Sequence, residues 1–200
     1  MVGLPASAGE VVGAVEIAET VKPGDRVSWR EWLARHHADA REIWLLYDDR
    51  DDVPSVSYLD AVEEAICFGW IDGMYKRASE HELAQRFSPR RPKSHWSELN
   101  KERARRLIRS GLMTEAWLAV LPDLDAPFAV PDDITERIKV DPDAWRHWAG
   151  FPDLYRRVRI SYIDEARNRP EEFERRLGNL LRKTAAGEMF GNWNDGGRLG

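Results

Sequence analysis

The 200-residue chain contains one cysteine, Cys67, so no disulfide can form within it, and a reducing compartment is the expected setting. Cys67 ends an apolar run at the close of a predicted helix, which reads as a buried structural thiol rather than a nucleophile. No run approaches the roughly 18 apolar residues that a membrane span requires. The first residues form no basic leader, and Glu10, Glu16 and Glu19 interrupt any signal-peptide core, so a cytoplasmic protein is expected. Basic excess is missing too: 30 Lys and Arg stand against 35 Asp and Glu, a net charge of -5. A dedicated nucleic-acid binder is cationic over its domain, so this balance argues against one. The phosphate-loop, dinucleotide, zinc-protease and C-x-x-C patterns are all absent. His36 and His37 are adjacent, and on a helix their rings diverge by about 100° and cannot share one metal. No metal and no cofactor is expected.

What is present is patterned. Nine tryptophans suit a core braced by large rings. Residues 1 to 25 are small and Gly-punctuated and read as a loosely ordered lead-in. Ser28-Trp29-Arg30-Glu31 has the form of a capping box opening a first helix, with Trp29, Trp32, Leu33 and His36 on one face. Ile43 to Tyr47 reads as a short central strand. Ser57 opens a second helix that Gly69 stops. Trp70 to Arg77 and Glu82 to Ser88 alternate as an antiparallel hairpin. This order predicts an α+β fold: a small antiparallel sheet of about three strands covered by helices, with a helical C-terminal half. The α+β core is expected over residues 26–121, and a linker over 122–131, where three prolines fall. A helical subdomain over 132–186 follows, its last helix striped by Phe173, Leu177, Leu180, Leu181 and Thr184. A mobile tail is expected over 187–200.

The stretch from Arg86 to Asn100 is the strongest candidate for a working surface. Between Lys76 and Arg109, eleven basic residues face four acidic ones inside an acidic protein. Arg86, Arg90, Arg91 and Lys93 could supply charge to an anion, arginine gripping phosphate or carboxylate in bidentate fashion. The same run could be a solvated face. Ser94 and Ser97 sit where helix caps sit, or where a helix N-terminus would receive an anion. Trp96 and Asn100 fall on the inward face of the following helix, while Glu98, Glu102, Arg105 and Arg109 point to water. Asn100 either staples the Pro-rich loop to the helix or meets a ligand. Asp72 lies in a strand beside Trp70, where an ionised carboxylate needs a partner. Arg86 or Arg90 is the expected ion-pair partner, and a general base is the sharper alternative.

Cys67-Phe68-Gly69-Trp70-Ile71-Asp72-Gly73, followed by Arg86-Phe87-Ser88-Pro89-Arg90-Arg91, Ser94, Trp96-Ser97 and Asn100, resembles the YdeI/OmpD-associated (bacteriocin-protection) family. The helix of Trp32 and Leu33, Trp44, Leu107-Ile108, Gly111 to Met113 and Tyr155 to Arg167 extend the likeness. Glu172 to Arg176 replaces that family's usual Thr-Arg-rich continuation. The resemblance implies a small cytoplasmic bacterial protein linked to tolerance of cationic antimicrobial peptides, and it carries over no catalytic residue or cofactor. The expected activity is therefore non-enzymatic: a stress or peptide-tolerance factor binding an anionic small molecule or a protein at the basic-loop surface. On that reading Trp70 and Trp96 form the floor, while Asp72, Ser94, Ser97 and Asn100 orient the partner. The alternatives are an enzyme using Asp72 as acid/base on an anionic substrate, and a nucleic-acid-binding module.

Overall fold

Short polar side chains set where the helices begin. In this computed structural model, which describes residues 17–50 and 52–199, Asp25 caps the first helix α1 (Arg26–His36). Its carboxylate accepts from the Ser28 N–H at 2.8 Å, and Ser28 Oγ accepts from the Asp25 N–H at 3.2 Å. The expected Ser28–Glu31 capping box is thus displaced one turn toward the N-terminus. The box closes on Asp25, whose carboxylate offers the free N–H groups a charged acceptor. Ser57 caps α2 (Tyr58–Cys67) and Ser97 caps α3 (Glu98–Arg109) as expected. Gly69 and Gly111 follow these helices with φ of 73° and 66°, a conformation that a Cβ would strain.

The sheet contains β1 (Thr20–Val21), β2 (Ile43–Asp48), β3 (Trp70–Arg77) and β4 (Glu82–Pro89) in the order β1-β2-β4-β3. β2, β4 and β3 form the expected antiparallel set, with β4 between the other two. β1 adds a short parallel pairing, Thr20 opposite Trp44, so the sheet is mixed and four-stranded. Part of the stretch read as a lead-in is thereby tied to the sheet, and its first 16 residues lie outside the described ones. Along β2, Ile43 and Leu45 face the helices, where Trp29, Leu33, Ile66, Trp70, Phe87 and Leu107 close the first core. At roughly 1.5–3 kcal/mol for each large apolar side chain buried, this layer dominates the stability of the front half.

After a 3-10 turn at Glu115–Val120, residues 121–131 form neither helix nor strand. Helices α4 (Asp132–Lys139), α5 (Pro142–Gly150), α6 (Asp153–Asp164) and α7 (Pro170–Ala185) then enclose a second core. Its centre is Ile134, Ile138, Trp148, Tyr155, Ile160, Leu177 and Leu180. The two halves meet where α3 packs on α6. Glu98, expected to face water, is buried in that contact. Its Oε2 accepts from Arg157 Nη1 at 2.7 Å and its backbone N–H donates to Ser161 Oγ at 3.2 Å. The residues after α7 are folded back where a mobile tail was expected. Trp193 packs edge-on to Tyr155, and Asp195 and Leu199 are buried. No helix among the described residues is long and apolar enough to cross a membrane.

Candidate anion-binding cleft

Most of the basic-loop residues are committed within the fold. Trp70 is 1% exposed, and its indole N–H donates to the His37 carbonyl. Arg86 pairs with Glu42, its Nε donating at 3.0 Å, and not with Asp72. The register explains this correction: Arg86 stands opposite Trp44, beside the end of β2 that Glu42 precedes. Arg90 is buried over the Trp96 ring, 4.0 Å from its centroid, and donates to the His95 carbonyl at 2.9 Å. Burial lowers the Arg90 pKa to about 10, with Asp72 acting in the opposite direction at longer range. Ser94 lies at the edge of this contact, its Oγ 3.5 Å from Arg90 Nη1. Ser97 caps α3, and Asn100 Oδ1 accepts from Arg103 Nη1 at 2.8 Å. Arg91 and Lys93 are exposed, Lys93 with a left-handed φ of 61°.

Asp72 belongs to a different constellation. Its Oδ2 accepts from the Tyr58 O–H at 3.3 Å and from Gln85 Nε2 at 3.2 Å, and the Tyr47 O–H donates to Gln85 Oε1 at 2.9 Å. Burial, aided by Asp72, pushes both phenols well above the usual tyrosine range, so they are held as donors. Tyr47 and Tyr58 line a cleft of about 950 Å³. None of the ten candidate residues from the sequence lines it.

The cleft lies between the two halves. Val56, Leu59, Leu83 and Leu99 give it an apolar wall from the first half, and Ile163 and Phe190 continue that wall from the second. Five arginines reach it, and four hold carboxylates already. Arg103 donates to both oxygens of Asp195, at 2.6 and 2.8 Å. Arg175 and Arg176 share Glu172, and Arg198 donates to Asp60 at 2.8 Å. Arg159, on α6, is the exception. It is 8% exposed, forms no hydrogen bond or ion pair with any described residue, and its Nε is buried without an acceptor. Its guanidinium carbon stands 5.2 Å from the Phe190 ring centre and 5.5 Å from that of Tyr162. Burial holds its pKa below the ordinary arginine value, yet an arginine stays charged in this range. Gly191, with φ 72°, lets the backbone press against the guanidinium; a Cβ there would sit 2.5 Å from Nη1.

Residues 21–120 match a domain of unknown function, DUF8412. Residues 127–187 match the family described as bacteriocin-protection, YdeI or OmpD-associated. The chain therefore belongs to the DUF8412 family, and its helical half carries a YdeI/OmpD-associated domain. The YdeI/OmpD-associated match covers the helical half, including Tyr155 to Arg167, whereas the Gly-Trp-Ile-Asp-Gly and Arg86 to Asn100 motifs fall within the DUF8412 half. The cleft straddles both, with Arg103 from the DUF8412 segment and Arg159 from the YdeI/OmpD-associated one. No curated protein and no solved structure matches the chain.

Sequence reasoning passed over Arg159. The signal lay in helical spacing: Tyr155, Arg159 and Tyr162 recur at i, i+4 and i+7, which places one cation on the aromatic face of α6. Among the described residues no group of three or more His, Cys, Asp or Glu is placed to hold a metal ion.

Proposed function

We propose that this YdeI/OmpD-associated protein is a non-enzymatic stress or antimicrobial-peptide-tolerance factor that acts by binding an anionic ligand in the cleft between its halves. One observation carries this reading: Arg159 is a buried cation at the cleft wall with no counter-charge among the described residues. An unpaired buried charge costs several kcal/mol, and an anion seated on it removes that penalty. Direct capture of cationic peptides would want the opposite sign. The exposed basic loop is a weaker candidate, because only Arg91 and Lys93 remain fully solvent-facing there.

The test is thermal denaturation of the full chain against a panel of organic anions, with the Arg159→Met variant alongside. Anions of the right shape raise the melting temperature of the natural protein and leave that of the variant unchanged, as mass action requires of a ligand specific to the native state. A panel in which no anion separates the two proteins would remove the basis for the reading. An enzymatic reading has one observation in its favour: Tyr58 lines the cleft and donates to Asp72, the geometry of a backed proton donor. It requires turnover that Asp72→Asn abolishes without unfolding the protein.

A further inference from the structure

We propose that the cleft selects a monocarboxylate with an apolar body, its carboxylate seated on Arg159 between the Tyr162 and Phe190 rings. This rests on the reading of the cleft as an anion site and adds the class of anion. Charge matching comes first. Arg103 and Arg159 are the two arginines buried at the cleft, and Asp195 already engages Arg103 through both oxygens. Arg159 alone is unmet, and one guanidinium balances one negative charge. A phosphate dianion would bring a second charge to a wall whose remaining arginines hold carboxylates.

Shape comes second. The guanidinium is flanked by two rings and backed by the Gly191 main chain, so its plane is fixed. A fixed planar fork suits a planar carboxylate better than a tetrahedral oxyanion. A smaller cavity of about 120 Å³ is lined by the same arginine and by Glu165, but that carboxylate lies near His95 and Ser161 and forms no hydrogen bond or ion pair with Arg159. The body of the ligand comes third. Tyr47 and Tyr58 commit their hydroxyls to Gln85 and Asp72, so they add ring surface to the aliphatic wall. The volume is that of sites enclosing small organic ligands.

Isothermal titration of the full chain with naphthoate, naphthyl phosphate and naphthamide tests this. These probes share one body and differ in the head. The expected result is naphthoate binding about 10- to 100-fold tighter than naphthamide, the range of a charge-assisted hydrogen-bonded pair. Arg159→Met then brings naphthoate to the naphthamide level and leaves naphthamide unchanged. Gly191→Ala, which drives a methyl into the guanidinium, weakens naphthoate selectively as a second, independent variant. Tighter, Arg159-dependent binding of naphthyl phosphate overturns the monocarboxylate class and leaves the anion cleft standing. Naphthoate binding that Arg159→Met does not alter overturns both. If none of the three probes binds, the monocarboxylate proposal fails, while the wider anion panel still decides the cleft.

Discussion

At the scale of single residues, Arg103 and Arg159 form a controlled comparison. Both are buried arginines facing one cleft, and among the described residues only Arg103 of the two meets a carboxylate. Their neighbourhoods should therefore respond in opposite ways to the loss of a charge. Asp195→Asn strands the Arg103 guanidinium, and a buried cation deprived of its partner costs about 3–5 kcal/mol. Chemical denaturation should show that loss as an earlier midpoint with an unchanged slope. Arg159→Met removes a charge that two aromatic rings offset only in part and no described carboxylate meets, and it keeps an apolar stem of similar length, so the empty protein should melt higher than the natural one. A lower melting temperature would mean that Arg159 serves packing alone. Cys67 offers a third check. It is fully buried, with burial first among the causes that push its thiol up to about 12, so thiol reagents should react with it only after unfolding.

At the scale of elements, Glu98 joins the halves and makes that joint sensitive to acid. Burial pushes its pKa up, but hydrogen bonds from Lys101 and Arg157 outweigh that and hold it below the ordinary glutamate range. A carboxylate with a depressed native pKa contributes stability above its unfolded value of about 4.3, and that contribution disappears as pH falls through the native value. Glu98→Gln should therefore lower stability at neutral pH and flatten the acid limb, which a melting series across pH would read directly. An acid limb identical to that of the natural protein would place the joint elsewhere.

The elements themselves were legible in the sequence because local rules decide them. Ser57, Ser97, Gly69 and Gly111 mark helix ends through caps and glycine conformation, and the β3–β4 hairpin follows from alternation. Non-local pairings were not legible. β1 depends on Thr20 meeting Trp44 across the sheet, and the burial of Asp195 depends on Arg103, 92 residues earlier. The candidate site failed for the same reason. Composition drew the eye to the cations of residues 86–93, whereas the arginine at the cleft without a carboxylate is Arg159, and only the tertiary arrangement shows that Arg90, equally without one, is instead closed over Trp96 and the His95 carbonyl.

At the scale of the whole molecule, the two cores are cross-linked by polar contacts, from buried to exposed, rather than by one continuous apolar layer. Glu98 with Arg157 ties α3 to α6, Asp195 with Arg103 ties the C-terminal strap to α3, and Arg198 with Asp60 ties it to α2. Scanning calorimetry should accordingly give one cooperative transition for the natural chain, and Asp195→Asn should split or broaden it. Ligand in the cleft, contacting both halves, should narrow the variant's transition again.

β3 ends the sheet on one side, and its ladder with β4 is interrupted between Asp72 and Tyr75. The interruption has a bearing on how copies of the chain meet in a crowded solution. A long, even strand at a sheet's rim is a template onto which a neighbouring molecule can add, and a break in its rhythm denies that neighbour a continuous run of partners. The irregularity beside the Gly-Trp-Ile-Asp-Gly motif thus acts as a guard against sheet-to-sheet growth, and restoring regular pairing there should make the protein less soluble without making it less folded.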